Sequence, residues 1–122
     1  MLVLSREQYQ SVVMGERGNL MELTVMDVRS DEIFVNVRSF RSAERISPTI
    51  VTGVLKKGDH LALENGTRVE LVDIRAETHL PGTRPPRVRL GFVAIPHHVI
   101  HRREVWDAIQ PDERQAAILK MD

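Results

Sequence analysis

Cysteine is absent from the 122 residues, so neither disulfides nor thiolate metal sites are open to this chain. No run of roughly 18 apolar residues occurs, which argues against a membrane-spanning helix. The opening Met1-Leu2-Val3-Leu4-Ser5-Arg6 has neither a charged leader nor a long apolar stretch, so a secretory signal is not expected. A cytoplasmic protein is the simplest expectation. There is also no excess of charge. Seventeen basic residues balance 17 acidic ones, which counts against a nonspecific nucleic-acid binder, a class that is usually basic overall. Lysine is scarce, occurring only at Lys56, Lys57 and Lys120, so arginine carries most of the positive charge. Its planar fork of donors suits phosphates and guanine edges.

What is present is unevenly placed. Between Thr78 and Arg103 there is no Asp or Glu, yet the stretch holds Arg84, Arg87, Arg89, Arg102 and Arg103. The tail that follows is acidic, with Glu104, Asp107, Asp112, Glu113 and Asp122. Apolar residues make up 42% and charged residues 28%, the balance of a globular fold.

Period-two alternation dominates and predicts β-strands. Ile33, Val35 and Val37 share one face; Val88, Leu90 and Phe92 share another; Leu23, Val25 and Val28, then Val69, Leu71 and Ile74, mark two more runs. Turn chemistry lies at Gly15 to Asn19, Ser30-Asp31, Glu64-Asn65-Gly66 and Pro81-Gly82. Helical spacing is confined to the end: Val105, Trp106 and Ile109, then Pro111 opening a segment with Ala116, Ala117, Ile118 and Leu119. Trp106, the only Trp, is expected to anchor that helix by packing.

An internal repeat emerges. Glu22-Leu23-Thr24-Val25-Met26-Asp27-Val28-Arg29 resembles Arg68-Val69-Glu70-Leu71-Val72-Asp73-Ile74-Arg75. Upstream, Val12 and Met14 match Leu61 and Leu63; downstream, Ile33, Val35 and Val37 match Val88, Leu90 and Phe92. Neither short half could bury its apolar face alone, so the two are expected to share one core.

The termini add a more specific signal. The chain opens Met1-Leu2-Val3-Leu4-Ser5-Arg6. Near its end it reads Gly91-Phe92-Val93-Ala94, then Val99-Ile100-His101-Arg102-Arg103-Glu104-Val105-Trp106. In this order, with the strand pair between them, these segments resemble the carbon storage regulator (CsrA/RsmA) family. The likeness covers about residues 1–37 and 57–110 and is poor over 39–55. Departures are Glu7 in place of a second basic residue, Tyr9 at a glycine turn, His98 at an apolar position, and Ala94-Ile95-Pro96 with its proline one residue late. They bear on affinity more than on fold.

The resemblance implies a mainly β fold. Antiparallel sheets would form an intrachain pseudo-dimer, with a C-terminal helix. Residues 1–47 would be one half-repeat with a degenerate C-terminal part, residues 48–110 the other with a degenerate first strand, and residues 111–122 a helical tail. It also implies binding to GGA-containing single-stranded loops in messenger leaders or small RNAs, at a surface shared by the first strand of one half and the last of the other. Carried over by position, the RNA-binding residues are Leu4, Ser5, Arg6, Ala94, Ile100, His101, Arg102 and Arg103, with the N-terminal strand placed beside the strand carrying Val99–His101. Gly53 and Leu55 stand where the second first strand would carry Leu and Arg, and Ser47 where the first half would carry the counterpart of Arg102. One complete site per monomeric chain is therefore expected.

Physics independently permits those roles. Sequence-specific RNA recognition reads the edges of unpaired bases, and guanine takes a bidentate donor such as Arg6 or Arg102. Other chemistry finds little footing. His97 and His101, on one strand face, would lie roughly 13 Å apart, too far for one zinc ion. Lys56-Lys57-Gly58-Asp59 lacks a preceding glycine-rich phosphate loop. No nucleophile–His–acid set stands out, so neither an enzyme nor a cofactor is expected. The rival reading is a protein-interaction module without RNA binding, a decoy or a partner of a protein antagonist or flagellar-assembly factor. Neutral charge favours that rival; Leu4, Arg6 and Arg102 oppose it.

Overall fold

Alternating apolar residues become strands that close on one another in two layers. The computed structural model describes residues 1–16, 19–39, 50–75, 85–96 and 98–108. Among them the elements are β1 (Leu2–Glu7), β2 (Ser11–Glu16), β3 (Asn19–Val28), β4 (Glu32–Ser39), β5 (Ile50–Lys56), β6 (His60–Ala62), β7 (Arg68–Arg75), β8 (Arg87–Val93), β9 (Val99–Arg102) and α1 (Arg103–Ala108). One sheet runs β1-β8-β7-β6, the other β5-β4-β3-β2-β9, with every pairing antiparallel. Among the described residues the fold is therefore mainly β, with one short helix after β9.

The pairing joins segments far apart in sequence. β1 pairs not with its sequence neighbour but with β8, Leu4 opposite Leu90 and Arg6 opposite Val88. β5 pairs with β4, the described strand before it, Gly53 opposite Val35 and Leu55 opposite Ile33. The repeated segments occupy matching places, and each carries a register shift at the matching step, Val25/Asp27 in β3 and Leu71/Asp73 in β7. Such a bulge bends and twists its strand.

The turns after β1 and β5 match in the same way. Tyr9 N–H donates to the Val25 carbonyl at 2.6 Å, and Gly58 N–H to the Leu71 carbonyl at 2.8 Å. Both residues have positive φ, 69° for Tyr9 and 91° for Gly58. That conformation suits glycine and strains tyrosine. The Gln10 and Asp59 side chains accept from the Glu7 and Lys56 backbone N–H groups at 2.9 Å each.

Inward faces of both sheets form one core: Val69, Leu71, Val88, Leu90 and Phe92 from one layer, Val12, Leu23, Val25, Ile33 and Val35 from the other. A smaller cluster lies on the outer face of the five-stranded sheet, where Trp106 of α1 packs with Val13 and Leu20. Trp106 is thus a packing anchor. Val105 stays exposed, while Ile109, the turn at Pro81-Gly82 and the helix expected after Pro111 lie outside the described residues.

Candidate functional site

The first strand and the last meet at one end of the sandwich, but not as neighbours in one sheet. β1 is the outer strand of the four-stranded layer and β9 the outer strand of the five-stranded layer. The expectation that they lie side by side is corrected on this point. The physical reason lies in β2, which uses one edge for the hairpin with β3 and offers its other edge to β9. The turn at Tyr9 carries β1 out of that sheet toward β8.

A charged pair ties β1 to the start of α1, which directly follows β9. Alternation puts Leu2, Leu4 and Arg6 on one face of β1, and Leu4 belongs to the core, so the Arg6 side chain turns inward too. Only 4% of it is exposed. Arg6 Nη1 and Nη2 donate to Glu104 Oε1 and Oε2, both at 2.7 Å. Its Nε donates to the Ser5 carbonyl at 2.8 Å and Nη1 also to the Ser11 carbonyl at 3.2 Å. The fork is filled, so Arg6 is a positioning residue here and its guanidinium is not offered to a base. The Arg6 hydrogen bonds hold the Glu104 carboxyl far below the usual carboxylate range, at about 2.

The other expected residues divide sharply. Leu4 is buried among core side chains. Ile100 opposes Met14 and packs against the same core. His101 opposes Val13 under the helix, with its ring 6.1 Å from that of Trp106, and burial lowers its pKa. Arg103 donates from Nη1 to Glu22 Oε2 at 2.7 Å and from Nε to Asp107 at 3.0 and 3.1 Å. Ala94 follows β8, past the last β1–β8 pair, Leu2 with Phe92. Ser5 and Arg102 alone of the eight are exposed. Arg102 opposes Val12 and so lies on the face of β9 turned toward the other sheet, at its open margin.

The opposite end of the sandwich differs in kind. Leu55 stands where Arg6 does in the repeat, 2% exposed, and closes the core with an apolar side chain. Gly53 stands for Leu4, and Leu61 of the facing sheet reaches toward the space a side chain would need, within 3.5 Å of a Cβ built there. No arginine occupies the described part of this end in the manner of Arg6. Ser47 lies outside the described residues.

Two features escaped the sequence reading. Glu104 was visible in the terminal motif, yet nothing local marked it as the partner of Arg6. A shallow depression of about 260 Å³ on the outer face of the four-stranded sheet is lined by Ser5, Arg75, Arg87 and Arg89. The spacing of Arg87 and Arg89 puts them on one strand face, but Arg75 and Ser5 join them only through strand pairing. Among the described residues no three His, Asp or Glu side chains converge as a metal site, and no helix is long and apolar enough to cross a membrane. Compared with family models, curated proteins and solved structures, the chain matches none.

Proposed function

We propose that this chain is an RNA-binding regulator of translation that takes a GGA-containing single-stranded loop at the end of the sandwich where β1 and β9 meet. The observation that carries this reading is the tie between the first strand and the helix that directly follows the last strand, through Arg6 and Glu104. The family resemblance asks for the first and last strands at one RNA surface; here they are edge strands of different sheets, linked through the helix that follows β9. The exchange of β1 and β9 between halves supports the related proposal, a carbon-storage-regulator-like pseudo-dimer within one polypeptide. Its halves would be residues 1–47 and 48–110.

In this reading Arg102 supplies the free fork for a guanine edge. Ser5 and the outer edge of β1 offer hydroxyl and main-chain groups, since an outer strand leaves one row of donors and acceptors unpaired by the sheet. Arg6 holds β1 against the start of α1. Leu4 contributes from beneath, by fixing the strand in the core.

The test is binding to a hairpin with GGA in its loop against the same hairpin with the loop sequence changed. One bidentate guanine contact gives about 1–3 kcal/mol of discrimination, or roughly 5- to 150-fold. Equal affinity for the two hairpins would sink the reading. A second reading, a protein-interaction module, draws on one observation: Arg6 and Arg103 are both engaged by carboxylates of the chain itself. Absence of RNA binding would favour it.

A further inference from the structure

We infer that the outer face of the four-stranded sheet carries an oxyanion site built by Arg75, Arg87 and Arg89, with Ser5 at its margin, that takes phosphodiester groups of RNA. The inference rests on the RNA reading above and extends it to a second surface, away from the β1–β9 margin where Arg102 lies.

The sequence sets up this face. Val88 and Leu90 are fully buried in the core, so Arg87 and Arg89 turn outward together. Pairing then adds their neighbours. Ser5 lies opposite Arg89 on one side, and Arg75 lies opposite Arg87 on the other. The four residues line one open depression of about 260 Å³.

Charge balance indicates what fills it. Arg75 and Arg87 are a directly opposed like-charge pair, an arrangement that destabilises a sheet unless something neutralises it. Arg87 and Arg89 make no ion pair among the described residues. Asp73 opposes Arg89, but its carboxylate is shared between Lys57 Nζ and Arg75 Nε, each at 3.7 Å. Glu7 opposes Arg87, yet it does not line the depression. Three planar forks around a solvent-open hollow match the oxygens of a phosphate.

The openness favours a polyanion over a small free anion. A lone phosphate in an exposed site competes poorly with water and salt, whereas a strand bound elsewhere brings its phosphates at high effective concentration. Ser5 supplies the continuity, since it lines the hollow and belongs to the strand that forms the proposed loop-binding margin. The site is therefore expected to strengthen all RNA alike, while Arg102 discriminates between sequences.

The experiment compares the full chain with Arg87→Gln and Arg89→Gln, using the GGA hairpin and the altered-loop hairpin over a salt series. Circular dichroism checks that the variants fold. Each substitution is expected to weaken both hairpins by the same factor and to reduce the slope of log K against log salt by about 0.7 for a single-stranded contact. Arg102→Gln is expected to narrow the preference between the hairpins instead. Unchanged affinity and slope in both Arg variants, with the parent still preferring GGA, would overturn this inference and leave the RNA reading standing. If the parent binds neither hairpin, the RNA reading fails and this assignment fails with it. Shifts of the arginine side-chain resonances with inorganic phosphate would then identify a soluble anion, and shifts with an acidic peptide alone a protein partner, either of which overturns the RNA assignment.

Discussion

Arg6 and Glu104 lie 98 positions apart and close a two-pronged ion pair, with both N···O distances at 2.7 Å. The arginine is buried and the carboxylate is 56% exposed. The pair therefore brings a charge into the sandwich and immediately answers it at the surface. Removing the acid would leave the guanidinium inside with two carbonyls as its remaining partners.

Glu104→Gln is accordingly expected to destabilise the fold by about 1–3 kcal/mol. That is less than the roughly 3–5 kcal/mol seen when a fully buried pair is broken, because solvent screens Glu104. Urea unfolding at neutral pH checks it.

The same pair makes an acid-dependence prediction. Glu104 has a folded pKa of about 2 against an ordinary 4.5. A depressed carboxylate stabilises the fold above its unfolded pKa, and that contribution fades as pH falls toward the folded value. Stability should thus drop between about pH 4.5 and 2, more steeply in the parent than in Glu104→Gln. Denaturant midpoints measured across this window give the comparison; parallel curves would show that the pair is not responsible.

Tyr9 offers a stabilising substitution. It is mostly exposed, so it loses little packing, and its φ of 69° is strained for any residue with a Cβ. Tyr9→Gly is expected to gain about 0.5–1 kcal/mol after the entropy of glycine in the unfolded chain is subtracted. Gly58→Ala, at the matching turn, is expected to lose about 1 kcal/mol or more. Thermal melts of both variants test the symmetry of the two turns.

Leu4 and Arg102 are expected to behave differently. Leu4→Ala should cost about 2–5 kcal/mol of stability, as a core truncation. Arg102→Ala should leave the melting temperature nearly unchanged and reduce GGA preference by about 1–3 kcal/mol. Paired melts and binding isotherms separate the two effects.

Binding valence follows from the unlike ends of the sandwich. One GGA hairpin per chain is expected, because Leu55 replaces Arg6, so the far end lacks the arginine that fixes the first margin, and Ser47 stands in sequence where a counterpart of Arg102 would. A second GGA loop joined to the RNA should add little beyond the statistical factor. Calorimetry reads the stoichiometry, and light scattering establishes whether the chain is a monomer; two equal sites on a monomer would refute the asymmetry.

Much of the fold was legible because most strands bury one face. Ile33, Val35 and Val37, like Val88, Leu90 and Phe92, alternate in sequence and are buried in the structure. β2 is harder to read, since Val12, Val13 and Met14 are all buried. Its outer face is covered by Trp106, so the period-two signal is lost there. The candidate site was legible only in part. Arg6 was expected at the RNA surface, whereas its alternation with Leu4 turns it inward, and its partner comes from the other end of the chain. His101 and Arg103 kept their place in the motif while packing and ion pairing drew them under and around the helix. Such contacts depend on which strands pair, and local periodicity carries no information about that choice.

The exchange of outer strands also governs when the fold can form. Leu2–Glu7 is made before its partner Arg87–Val93, which follows about 85 residues later. At about 5–20 residues per second that is on the order of 4–17 s of synthesis. During this interval the strand leaves Leu4 uncovered and has no sheet to join. Pairings of such long sequence separation also slow the closing step itself. The strand Leu2–Glu7 therefore waits long for its place, and in that interval it is open to the matching strand of another copy.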